Sequence, residues 1–260
     1  MRLALGPALL VAAVALVACG GDRSTPPEPS GAATTSPPLV AIDPATTGKV
    51  SGKIVYSGPD PAPFKVDLSA DPACAKEQAS AVYTPEIVVG PDHALANVVV
   101  WIAEGAPAGR YPLPGRTAVL VQRGCSYTPR VQALLIGQPL EIRNDDQTMH
   151  NVHVLAHDNR EWNRSQVMGG VPILEKFPHE EIPVTFKCNV HPWMKAQVAV
   201  LSNPFFAVTA QDGRFEIAGL PAGQYTITAW HETLGTVVRK VAIVAKEAST
   251  VDFTLPPGGG

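Results

Sequence analysis

Apolar positions along this chain change their rhythm with distance from the N-terminus. Residues 3–18 are almost continuously apolar, residues 22–47 show no period at all, and from Lys49 onward short apolar bursts alternate with turn residues. Alternation or brief apolar runs bounded by Gly, Pro and Asn mark β-strands. Segments 50–56, 97–102, 118–121, 140–143, 150–155, 184–186 and 198–201 read this way. So do 214–217, 225–230, 237–244 and 250–255. No stretch of twelve residues holds a convincing 3.6-residue period. Many short strands with Gly and Pro turns predict an all-β protein built of sandwiches or barrels.

Composition supports this and narrows the partners. The chain has 260 residues, of which 26 are proline and 22 glycine. Twenty Lys and Arg stand against 23 Asp and Glu, for a net charge of −3. That balance excludes a strongly basic nucleic-acid binder.

The N-terminus reads as an address. Arg2 precedes the apolar run, and small residues end it, as in a secretory signal. Leu16-Val17-Ala18-Cys19 followed by Gly20 resembles the lipobox of bacterial lipoproteins. That resemblance implies removal of residues 1–18, lipidation of Cys19 and anchoring in the bacterial envelope on the periplasmic side. Gly20 favours the outer membrane. Residues 19–47, rich in Pro, Ser and Thr, would be a disordered tether.

Chemistry is concentrated in two stretches. One is Thr148-Met149-His150-Asn151-Val152-His153, and the other is Cys188-Asn189-Val190-His191-Pro192-Trp193-Met194. The second is C-x2-H-x2-M, three metal donors within one short loop. Sulfur donors mixed with imidazole select copper over hard cations. Two His, one Cys and a weak axial Met form a blue-copper electron-transfer set. His150 supplies the second imidazole. Zinc is the next candidate, but Met is a poor zinc ligand. His153 has an odd offset from His150, which points it to the other face of a strand.

These two loops resemble those of cupredoxins, the blue-copper proteins of the amicyanin and plastocyanin type, across 117–202. Tyr127-Thr128-Pro129, Gly137 and Asn144 add to the likeness. The resemblance implies a Greek-key sandwich holding one copper per chain. His150, Cys188 and His191 would be equatorial ligands, Met194 the axial one, and Asn151 a hydrogen-bonding tie between the loops. It also implies that the His191 ring edge reaches the surface, with Pro192 and Trp193 as an apolar patch for a redox partner. The sequence departs from the family in lacking a proline between Met149 and His150. It also departs at Thr185-Phe186-Lys187, before the ligand cysteine. Of the four cysteines, Cys74 and Cys125 remain after lipid and metal are assigned. In an exported protein they are expected to pair, the alternative being two free thiols.

Asp212-Gly213-Arg214-Phe215-Glu216-Ile217 with Gly219-Leu220-Pro221 and Gly223-Gln224-Tyr225 resembles the carboxypeptidase-regulatory-like sandwich of transthyretin or immunoglobulin type. Residues 48–56 and 97–102 look like the opening strands of that family. The expected plan is therefore a sandwich split into 48–116 and 203–256, with the cupredoxin between its halves. The alternative is a longer cupredoxin at 48–202 followed by a separate domain. No H-E-x-x-H or G-x-S-x-G motif suggests catalysis, so no catalytic residue and no enzyme activity are expected. Electron transfer is the leading function. Copper delivery, or a purely structural surface module, are the alternatives.

Overall fold

The computed structural model describes residues 37–257, apart from 63, 70, 79–81, 84 and 85. The signal segment, Cys19 and most of the expected tether lie outside the described residues. Strand β1 (Thr47–Tyr56), helix α1 (Pro72–Glu77) and strand β2 (Val99–Glu104) come first. A middle block holds β3 (Ala118–Gln122), β4 (Tyr127–Thr128), β5 (Val131–Leu135), β6 (Leu140–Asn144) and β7 (His150–Leu155). It continues with β8 (Trp162–Gln166), β9 (Ile173–Glu175), β10 (Glu181–Lys187) and β11 (Lys195–Leu201). The last block is β12 (Phe206–Val208), β13 (Arg214–Pro221), β14 (Gly223–His231), β15 (Gly235–Ile243), β16 (Ala248–Thr250) and β17 (Phe253–Leu255). The protein is all-β, as its periodicity requires.

Strands from the two ends of the chain share sheets. β1 is antiparallel to β13 and parallel to β16 and β17, while β2 lies between β12 and β14, with β15 at the edge. Alternation explains the core. Val50, Ile54 and Tyr56 of β1 face inward with Phe215 and Ile217 of β13 and Tyr225 and Ile227 of β14. Gly52 sits beside the irregular link between β16 and β17, which pair in turn with successive stretches of β1, and a Cβ there would lie 1.9 Å from the Val251 carbonyl oxygen. That irregularity splits the expected 250–255 strand in two, with Asp252 accepting the Lys53 N–H at 2.8 Å. Gly213 holds the turn before β13 at φ +67, a left-handed conformation that suits glycine.

The middle block forms the second sandwich. One sheet has the order β5-β11-β10-β7-β8 and the other β4-β3-β6-β9. Its core includes Leu120, Ile142, Val152, Val154, Phe186 and Val198. A third cluster joins the sandwiches, with Val99, Val131, Ala199 and Leu201 packed against Trp101, Phe206 and Trp230. Arg130 makes a two-pronged pair with Glu232 across the same seam, at 2.8 and 2.7 Å. With an apolar cluster and a largely buried ion pair between them, the two sandwiches are one unit.

Two expected boundaries shift. The chain is already pinned before residue 48, since the Val40 N–H bonds the Arg110 carbonyl at 2.7 Å and the Arg110 N–H bonds Pro38 at 2.9 Å. The expected tether therefore ends earlier than 47. Nor does all of 48–116 belong to the first sandwich: Cys74 lies in the core of the second, and Leu68 packs against it. α1 is the element that crosses over, and it does so beside the loop that carries His191.

Candidate metal centre

β7 begins at His150, and the loop between β10 and β11 carries Cys188, His191 and Met194. That loop closes on itself through its backbone: the Met194 N–H bonds the His191 carbonyl at 2.9 Å, and the Cys188 N–H bonds the Met194 carbonyl at 3.1 Å. The β7–β10 pairing brings His150 alongside. His150 Nδ1 lies 2.9 Å from His191 Nδ1, and Cys188 Sγ lies 3.6 Å from His191 Nδ1. A donor atom from each of the three falls within 4.8 Å of the other two. His150 is 0% exposed, and Cys188, His191 and Met194 are each 1%. Two imidazole nitrogens and a thiol sulfur, converging in a buried pocket with a thioether residue in the same cluster, fit copper.

Charge is already arranged around these donors. Burial raises the Cys188 thiol, but the His150 hydrogen bond and the backbone N–H groups of Asn151, His191 and Val190 outweigh it and bring it to about 6. Burial pushes His150 down, yet the hydrogen bonds with Asp146 and Cys188 carry it up to about 9. A metal entering this pocket displaces the proton that these groups share.

Each ligand imidazole has a carboxylate behind it. His150 Nε2 is 2.7 Å from Asp146 Oδ2, both side chains being fully buried. His191 Nε2 is 2.8 Å from Asp71 Oδ2. Asp146 also accepts the N–H groups of Gly124 at 2.5 Å and Cys125 at 2.8 Å. The other Asp71 oxygen caps α1 through the N–H groups of Ala73 and Cys74. The His191 hydrogen bond holds the Asp71 carboxyl below its usual range.

Polar side chains fix the loops. Asn144 donates to the carbonyls of Thr148 at 2.9 Å and Gln166 at 3.0 Å, and its oxygen accepts the Asp146 N–H at 3.0 Å. That holds the turn leading into His150. Asn151 accepts the Asn189 N–H at 2.5 Å and donates to Asn163, so it ties the two ligand loops together. His153, on the same face of β7 as Asn151, bonds Asn189 at 3.1 Å and Glu161 at 3.0 Å. Its odd offset turns it away from His150.

Cys74 and Cys125 are joined by a disulfide, with Cα atoms 5.6 Å apart. The bond fastens α1 over the metal loops, and Cys74 Sγ lies 3.5 Å from His191 Nε2. This corrects the expected surface. The His191 ring does not reach solvent, because Asp71 and Cys74 cover it. Trp193 is half-buried, donates to the Cys125 carbonyl at 2.9 Å and has its ring 5.3 Å from that of His191, whereas Pro192 is exposed. Asp71, Asp146 and Gln166 were not singled out in the sequence, whereas Asn144 had entered through the family likeness.

Residues 184–256 match the carboxypeptidase regulatory-like domain family. The match starts inside the second sandwich, at β10, and leaves out β1 and β2, which complete the first. No curated protein matches the chain. Among solved structures, the copper-containing nitrite reductase of Thermus scotoductus is 19% identical with a TM-score of 0.32. The match covers 39% of this chain and 26% of that one, so the chain spans about a quarter of that enzyme. A purple cupredoxin of Nitrosopumilus maritimus is 20% identical over 32% of this chain and 99% of its own, with a TM-score of 0.28. A Cu(I) amicyanin variant is 17% identical over 39% and 98%, with a TM-score of 0.30. Residues 184–256 thus resemble a carboxypeptidase regulatory-like domain, in a chain whose first β-sandwich is built from strands at both ends of the sequence and whose second lies between them.

Proposed function

We propose that this protein is an exported, lipid-anchored carrier of one copper ion that transfers single electrons and has no enzyme activity. The supporting observation is the convergence of His150, Cys188 and His191 donor atoms in a fully buried pocket shared with Met194. When bound, copper supplies a one-electron Cu(II)/Cu(I) couple. The protein's part is to hold the donors still. The self-bonded 188–194 loop, the Asn151–Asn189 tie and the Asn144-braced turn fix both imidazoles before metal arrives. Little then rearranges between oxidation states.

A visible spectrum of copper-loaded protein tests this reading. A strong thiolate-to-copper band is expected, and Cys188→Ser should abolish it while the fold persists. An unchanged spectrum in that variant overturns the assignment. Lipidation at Cys19 rests on the lipobox alone, and the mass of the mature N-terminus decides it. The cover over His191 favours a second reading, copper holding and delivery. A reversible one-electron cycle with copper retained supports the carrier. Loss of Cu(I) on reduction supports delivery.

A further inference from the structure

The pocket has an unusual symmetry. Each candidate ligand imidazole turns Nδ1 toward the Cys188 side and Nε2 toward a carboxylate, Asp146 for His150 and Asp71 for His191. A carboxylate accepting the Nε2 proton leaves Nδ1 free for metal and makes the ring a stronger donor. It also places negative charge one ring away from the metal position. We propose that Asp146 and Asp71 bias this site toward the divalent ion, so that it holds Cu(II) far more tightly relative to Cu(I) than its four ligands alone would. This rests on the copper reading above.

The physical argument is charge. Reduction removes one positive charge from the metal, and two carboxylates plus a thiolate already outweigh a divalent ion. Asp146 is fully buried, so its field acts without solvent screening. The backbone N–H groups of Gly124 and Cys125 keep it oriented toward His150. Asp71 is 21% exposed at its side chain and sits on the cover, so its effect is smaller. Neither residue is one of the four candidate ligands. Both are positioning residues, acting through the imidazoles.

The experiment measures Cu(II) and Cu(I) dissociation constants separately, by competition with chelators specific for each ion. The intact chain is compared with Asp146→Asn, Asp146→Glu, Asp71→Asn and Asp145→Asn. Asp146→Asn should weaken Cu(II) by about 10–100-fold while Cu(I) changes only a few-fold, as loss of a carboxylate behind a ligand histidine predicts. Asp71→Asn should move the ratio in the same direction by less. Asp146→Glu should restore most of it. Asp145, which pairs with Arg123 at 2.6 Å away from the imidazoles, should leave it unchanged. Equal weakening of both ions would mean the carboxylates only hold shape, and would overturn the proposal, as would no change in either. Should Asp146→Asn fail to fold, the Asp71 variant on the cover decides by the same ratio. A wild-type chain without one copper site, or a Cys188→Ser chain that binds as well, overturns the copper reading and this inference with it. Normal wild-type binding with an unmoved ratio overturns this inference alone.

Discussion

The two sandwiches solve the problem of a core in opposite ways. The first is filled mainly by apolar side chains such as Val50, Ile54, Leu95, Ile102, Leu220, Ile227 and Phe253, with Asn203, Thr209, Thr228 and His231 as its few buried polar groups. The second buries Gln122, Asn144, Asp146, His150, Gln166 and His191 among its hydrophobic residues. A buried polar group costs free energy unless it is hydrogen-bonded, and these are bonded to one another. Gln122 Nε2 donates to Gln166 Oε1 at 2.6 Å, Gln166 donates to Ile142 at 3.0 Å, and Asn144 to Gln166 at 3.0 Å. The apolar core supplies stability. The polar one supplies position, a lattice that holds donor atoms of two imidazoles and a thiol within 4.8 Å of one another.

That contrast can be broken at three points, of decreasing effect. Leu220→Ala removes a fully buried side chain from the apolar core and should cost about 2–5 kcal/mol of unfolding free energy. Copper affinity should stay within a few-fold. A denaturant titration beside a metal titration checks both, and a matched fall in copper affinity would merge the two cores into one. His231 comes next. It is the apolar sandwich's buried imidazole, near the Arg130–Glu232 seam, and its Nε2 has no hydrogen-bond partner. Burial lowers its pKa from 6.5 to about 4. The unfolded chain therefore takes up a proton that the folded chain refuses. The resulting stability is complete above pH 6.5 and is lost as the pH falls toward 4, by up to about 3 kcal/mol. Unfolding measured from pH 4 to 7 should show that slope in the wild type and a flatter one in His231→Phe. Asn151→Ala is the smallest, about 1–2 kcal/mol, because it frees the Asn189 N–H. Its main signature should be a broadened or shifted copper absorption, and an unaltered band would show that the tie does not set the site's geometry.

Sequence reading singled out the loops of His150 and Cys188, whose donor atoms the fold brings together, because they concentrate rare residue types at short spacing. C-x2-H-x2-M is legible as chemistry without a fold. The pairing of strands from the two chain ends was suggested only by the family likeness, because alternation at Phe215 and Ile217 marks a strand but not its neighbours. What escaped was whatever depends on packing across distance. Asp146 lies in the ordinary-looking turn Asn144-Asp145-Asp146, and nothing local separates the buried aspartate from its ion-paired neighbour. Asp71 looks like a helix cap and is one; that its second oxygen meets His191 is set by the course of the chain to α1. Strands β8 and β9 hid for a similar reason. In β8 only Trp162 and Gln166 are buried, with three exposed residues between them, so no alternation survives.

The cover sewn on by Cys74–Cys125 has a kinetic consequence. With every candidate donor residue 1% exposed or less, a metal ion meets a closed wall. On the proposed reading copper would reach the finished pocket only when α1 lifts or a loop opens locally, and such openings have their own rate, set by the protein. Loading of the oxidised apoprotein should therefore rise with copper concentration and then level off, at the frequency of that opening. Reducing the disulfide should lift the plateau. On the proposed copper reading, the timing of the staple, before or after copper arrives, would decide how quickly the site fills.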